Sequence, residues 1–182
     1  MAETKAKKTT TKVEDKPETK KVKNNVDPAN WTDEDLEKNV VVHNIAGWSI
    51  TFALRNRVGD ILMARNTKHR LSRNEIQAQV YNGNKLFAGT DGQGSHATLY
   101  IEDEATRRWL GFETDDKKQI VFSDDIAKKL FAMPQAQFER ELPNYIVTRA
   151  EKYALNEAIE RLGFNDFRKI MFISRYTEYP LT

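Results

Sequence analysis

Residues 84–103, NKLFAGTDGQGSHATLYIED, decide how this sequence is read. Gly89, Gly92 and Gly94 stand close together. Glycine reaches positive φ at no steric cost, so the run predicts a sharp, irregular backbone path. Asp91-Gly92 carries the residue preference of a type I′ turn. Beyond it, Leu99 and Ile101 alternate with Thr98 and Tyr100, which predicts a half-buried strand over 97–101.

A glycine-rich loop beside a strand invites a phosphate-binding reading, and the spacing argues against it. The dinucleotide fingerprint runs G-x-G-x-x-G, and the phosphate loop of nucleotide hydrolases ends in G-K-[ST]. Here the order is G-x-x-G-x-G, no lysine follows, and no helix is expected to begin there and offer its amides to an anion. Ser95 and His96 are neighbours, so in extended backbone they face opposite ways and cannot form a nucleophile–base pair. The expected role of His96 is a bond to backbone at the strand entry. Asp91 and His96 are two donors, too few for a metal site. Asp91, Gln93, Ser95 and His96 are therefore read as a loop presented to a partner, since contacts concentrate on loops held by a rigid sheet.

Upstream of the loop, Ser72-Arg73-Asn74-Glu75 matches a capping box, and a helix is predicted over 73–81, burying Ile76 and Val80. Before it, NVVVH at 39–43 is β-branched and strand-like. WSITFAL at 48–54 alternates most clearly, with Trp48, Ile50, Phe52 and Leu54 on one face. Val58-Gly59-Asp60 predicts a turn, 61–64 a third strand and 69–71 a short fourth. Thr32 is read as the cap of one or two helical turns, with Trp31 packing on Leu36 as a hydrophobic staple.

Downstream, Asp103 caps a short helix through Trp109, with Gly111 past its end. A short strand is predicted at 119–122. The rest reads as helical. Ser123 caps a helix over 124–132, and Pro134 opens another that should stop before Pro143. Thr148-Arg149-Ala150-Glu151 is a second capping box, heading a helix that Gly163 ends. Asn165 is expected to cap the last helix, to about Ser174. The fold class is α+β: an N-terminal antiparallel β-meander with a crossing helix, then a C-terminal helical bundle. The expected divisions are a lysine-rich arm over 1–30, a sheet domain over 31–122 and a helical subdomain over 123–182.

The chain has 182 residues and a formal net charge of +2, unevenly placed. Residues 1–30 hold eight lysines against five acids, and the remainder holds 21 basic against 22 acidic residues. The arm has no aromatic residue, so it cannot bury enough surface to offset the entropy of ordering, and it is expected to be disordered. Lys5, Lys7, Lys8, Lys12, Lys16, Lys20, Lys21 and Lys23 are candidates for contact with phosphate backbone or an acidic partner. A solubilising tail is the other reading. There is no cysteine, hence no disulfide, thiolate nucleophile or zinc ribbon. No run of about 18 apolar residues exists, so no membrane span is expected.

His43, His69 and His96 show no i, i+4 spacing, and no nucleophile elbow is present. No catalytic residue, metal site or cofactor is therefore expected. Residues 124–142, DDIAKKLFAMPQAQFEREL, have the pattern of a helix-turn-helix unit that would present Gln135, Gln137 and Arg140 to base edges. Glu139 and Glu141 put negative charge on that recognition helix, and two packed amphipathic helices give the same pattern.

The segments MAETKAKKTTTK, NIAGWSITFALRNRVGD, GTDGQGSHATLYIEDEATRRWLGF and VTRAEKYALNEAIERLGFNDFRKI together resemble small accessory proteins encoded by tailed bacteriophages. Many of these are virion components of the head or neck. The resemblance lies in the texture of residues 39–173 and carries no functional residue across. It implies a non-enzymatic role in assembly or on the virion surface, located in the particle or the host cytoplasm. The expected partners are other virion or assembly proteins, further copies of this chain, and nucleic acid through the arm. The alternative is a DNA-binding regulator using residues 124–142.

Overall fold

The computed structural model describes residues 30–179. Five strands form: β1 (Asn39–Asn44), β2 (Ile50–Ala53), β3 (Asp60–Met63), β4 (Lys68–Ser72) and β5 (Leu99–Ile101). The eight helices among the described residues are α1 (Asp33–Glu37), α2 (Arg73–Tyr81), α3 (Lys85–Ala88), α4 (Glu104–Trp109), α5 (Asp124–Ala132), α6 (Gln135–Tyr145), α7 (Arg149–Arg161) and α8 (Phe167–Thr177). Sheets and helices share the first half and helices fill the second, as expected for an α+β chain.

The strands are all antiparallel, but they do not make one meander. β1 is the centre of a three-stranded sheet in the order β4-β1-β5, while β2 and β3 form a separate hairpin. Asn44, fully buried at the end of β1, gives the physical reason. Its Nδ2 shares its protons among the carbonyls of Trp48 (3.0 Å), Met63 (3.2 Å) and Ala64 (3.0 Å), and its Oδ1 accepts from Ala46 N–H at 3.0 Å. That amide swings the chain out of the sheet, so β2 pairs with β3 and the place beside β1 is left to β5. Within β1, β2, β3 and β5 the alternation holds, whereas β4 exposes Lys68, His69 and Arg70 in succession. Val40, Val42, Ile50, Phe52, Ile61 and Met63 point into one core.

The other end of the hairpin is held by α2. Gln79 Nε2 donates to Ala53 O at 2.7 Å, and Glu75 accepts from Arg55 N–H (2.8 Å) and Asn56 N–H (3.0 Å). The capping box expected at Ser72 is therefore only half made. Ser72 Oγ accepts from Glu75 N–H at 3.2 Å, but the Glu75 carboxylate turns to the hairpin instead of back to the cap. A buried carboxylate needs donors, and two unpaired loop amides satisfy it better than one exposed one.

Two hydrophobic clusters fill the molecule. The first gathers Val42, Phe52, Leu71, Ile76, Phe87 and Leu99; the second gathers Leu130, Phe138, Leu142, Ile146, Leu155 and Ile173. Each large side chain so buried contributes roughly 1.5–3 kcal/mol. Ala150 of α7 inserts into the first cluster while Leu155, Ala158 and Ile159 serve the second, so α7 belongs to both.

Several local expectations are corrected. No strand forms at 119–122; the segment makes a single ladder-like bond, Ile120 O accepting from His96 N–H at 2.7 Å. Helix α6 passes through Pro143 and ends at Tyr145, since Leu142 and Ile146 are wholly buried on either side and outweigh the one missing donor. Asp166, not Asn165, caps α8, through the amides of Arg168 and Lys169, and the helix runs on to Thr177. Helix α3 was not expected; Asn84 caps it through Leu86 N–H. Trp31, expected to pack on Leu36, has two further partners. Its ring lies 5.0 Å from that of Trp109 and under the Arg73 guanidinium at 3.9 Å.

Gly47 shows how tightly the halves meet, because a Cβ there would fall 1.9 Å from Cε1 of Tyr153 on α7. Gly47→Ala is expected to lose about 1–3 kcal/mol from overpacking. Gly92→Ala, at φ 72° with nothing near its added carbon, should lose only about 1–2 kcal/mol from backbone strain. Urea denaturation of the two variants, with circular dichroism, checks this; a smaller loss at Gly47 would show that Tyr153 simply swings aside.

Candidate functional site

The glycine loop joins α3 to β5, so Asp91-Gly92 is not a hairpin turn. Asp91 organises it: one carboxylate oxygen accepts from Gln93 N–H (2.8 Å) and from Ser95 N–H (3.0 Å). Burial opposes ionisation of Asp91, but the bonds from Gln93 and Ser95 outweigh it and hold the carboxyl below its usual range. Gly89 and Gly94 are required by space as well as by φ. A Cβ on Gly89 would meet the Ser95 carbonyl oxygen at 2.0 Å, and one on Gly94 the Phe112 ring at 2.5 Å.

Of the four loop residues expected to face a partner, only two lie at the surface. Asp91 and Gln93 are exposed, and Gln93 accepts a bond from Lys117. Ser95 is buried, and His96 is turned inward with a left-handed backbone at φ 60°. The His96 side chain does not bond backbone. Its Nδ1 meets Glu151 Oε1 at 2.8 Å, and the carboxylate as acceptor places the proton on Nδ1. Glu151 is fully buried at N3 of α7. Its second oxygen accepts from Val147 N–H and Thr148 N–H, both at 2.9 Å, and from Thr148 Oγ1 at 3.1 Å. This completes the capping box expected at Thr148. The sequence showed Glu151 only as that local cap; its link to His96 lies 55 residues away in the chain.

A cleft of about 620 Å³ lies between the halves, lined by His43 and Tyr100 of the sheet, by Glu102 just past β5, and by Asp124, Glu157 and Arg161 of the helices. Its charges are already paired. Arg161 grips both oxygens of Asp124, whose carboxyl is held below its usual range by that bond. Glu157 meets Arg65 at 2.7 Å and Glu102 meets Lys68 at 2.6 Å. His43 Nε2 lies 2.9 Å from Asn66 Oδ1. Burial pushes the Tyr100 hydroxyl up, only partly opposed by Arg107 beneath its ring. Among the described residues no three His, Cys, Asp or Glu side chains converge to hold a metal.

The proposed DNA-reading residues sit on α6. Gln135 is half-buried and donates to Glu139, Arg140 Nε donates to Glu141 at 3.1 Å, and Gln137 is exposed. Two of the three are thus engaged with acids of their own helix. The candidate arm contacts Lys5, Lys7, Lys8, Lys12, Lys16, Lys20, Lys21 and Lys23 lie outside the described residues.

Two outward features were not singled out from sequence. Phe167 and Met171, one turn apart on α8, are 73% and 44% exposed. The hairpin tip, residues 55–58, holds Arg55, Asn56, Arg57 and a wholly exposed Val58. No described helix is long and apolar enough to cross a membrane. Comparison with protein-family models, with curated proteins and with solved structures gives no match.

His96→Ala leaves one oxygen of a buried carboxylate without its donor, and should lower stability by about 1–3 kcal/mol or more. His69→Ala, exposed on β4, should change it by about 0.5 kcal/mol or less. Denaturant titration of both variants decides; matching midpoints would show that the His96 bond holds nothing.

Asp103 gives a pH signature. Burial raises its carboxyl, but bonds from Thr106 and Arg73 overcome this and hold it below the usual range. A depressed folded-state pKa contributes stability above the unfolded value, near 3.9, and loses it as pH falls through the folded one. The stability gap between the native chain and Asp103→Asn should therefore be full at neutral pH and begin to narrow as pH falls below about 4. Thermal midpoints across pH 3–7 check it, and a gap independent of pH would refute it.

Proposed function

We propose that this chain is a non-enzymatic structural or assembly protein, an accessory component of the kind that tailed bacteriophages build into the head or neck. It binds other virion or assembly proteins, and its lysine-rich arm contacts DNA. The sequence resemblance supports the setting. The chemistry of the interior supports the absence of catalysis, because each buried charged side chain is committed to the fold. Glu75 holds hairpin amides, and Glu151 holds a helix cap and His96. Arg73 bonds Asp103, Thr106 and the Asp35 carbonyl; Arg107 bonds the carbonyls of Ile101 and Glu102; Lys169 bonds that of Phe131.

The observation that carries the binding role is the Phe167–Met171 ridge on α8. Apolar side chains one turn apart on an exposed helical face are the usual anchors of helix-mediated contacts between proteins. The inner face of α8 keeps the helix in place through Ile173 and Lys169, so the ridge is presented on a fixed support.

Mass spectrometry of purified particles encoded alongside this chain is the test. The chain should be present at a fixed copy number, and Phe167→Ser/Met171→Ser should fold normally yet lose most of its incorporation. A chain absent from particles and monomeric in lysate would sink the reading.

A further inference from the structure

We propose that the tip of the β2–β3 hairpin is a second nucleic-acid contact, preformed to enter a groove of duplex DNA. The loop is four residues long, Arg55-Asn56-Arg57-Val58, closed by Leu54 N–H donating to Gly59 O at 2.8 Å. Its first two amides are pinned by the buried Glu75 carboxylate, and its root by Gln79 on Ala53 O. A loop fixed in this way gives up little entropy on binding. What it presents is cationic with an apolar point. Among the described residues neither arginine side chain has an ion-pair or hydrogen-bond partner, and Val58 is 104% exposed.

Arginine flanking an inserted apolar side chain is the chemistry by which proteins enter the minor groove. Asp60, exposed at the foot of β3, is the one acid at the tip. Glu75, though close by, is taken up by backbone.

A polyanion is favoured over an acidic protein by where the arm begins. The lysine-rich stretch enters the described fold at Trp31, whose ring lies under Arg73. Arg73, against the Trp31 ring, and Glu75, on the hairpin amides, both belong to the first turn of α2. A polyanion long enough to reach both would engage the lysines of the arm and the arginines of the tip together.

The experiment is fluorescence anisotropy of a short labelled duplex with the full chain, titrated with salt. Arg55→Gln/Arg57→Gln should weaken binding roughly tenfold and reduce the salt slope by about two. Val58→Ser should weaken it and leave the slope unchanged. Since these side chains are exposed, thermal unfolding should match the native chain, which separates lost contact from lost fold. Removal of residues 1–30 tests the arm alone, so its failure and that of the tip are told apart. Tip variants that bind like the native chain would overturn the proposal. So would tip-dependent binding that poly-glutamate displaces, charge for charge, as well as unlabelled DNA does, because the occupant would then be an acidic protein.

Discussion

A buried carboxylate must find donors, and two such groups shape this molecule. Glu75 and Glu151 each stand three residues after a helix cap, and each is withdrawn from solvent. An unpaired charge in such a place is strongly unfavourable. Each therefore dictates where distant backbone or side chains must lie. Glu75 fixes the tip of a hairpin about 20 residues before it, and Glu151 fixes the glycine loop through His96. The loop, in turn, needs glycine at Gly89 and Gly94 because nothing larger fits against Ser95 and Phe112. Loop, histidine and helix cap are thus joined through one carboxylate.

The polar interior is accordingly structural. Asn44, Gln79, Glu75, Glu151 and Arg73 bond mostly to backbone groups that the irregular segments leave without partners. Such bonds replace ladder pairing that a two-stranded hairpin cannot supply alone. The outward surface carries an apolar ridge on α8 and a cationic tip on the hairpin.

How far the sequence foretold this depends on the range of each interaction. Local signals were legible. Ser123 and Thr148 cap the helices they were expected to cap, Arg73–Tyr81 forms as drawn, and Leu99 and Ile101 face the core. What could not be read was long-range. The path of the chain out of β1 is held by the side chain of Asn44, and no periodicity marks it. His96 looked like a surface loop residue because its partner lies on another helix. Pro143 argued for a helix end, and only the packing of Leu142 and Ile146 shows why the helix continues. Exposed apolar residues such as Val58 and Phe167 look, in sequence, like any core residue.

The Trp31 anchorage has a mechanical consequence. Any pull on the chain ahead of it is received first by the indole ring, then by the Arg73 guanidinium, and then by Asp103 and Thr106 at the head of α4. Tension is so delivered first to the head of α4, and it reaches the helical half only through α7, which packs into both clusters. The first aromatic residue of the chain is thus the point from which strain on its N-terminal side enters the fold.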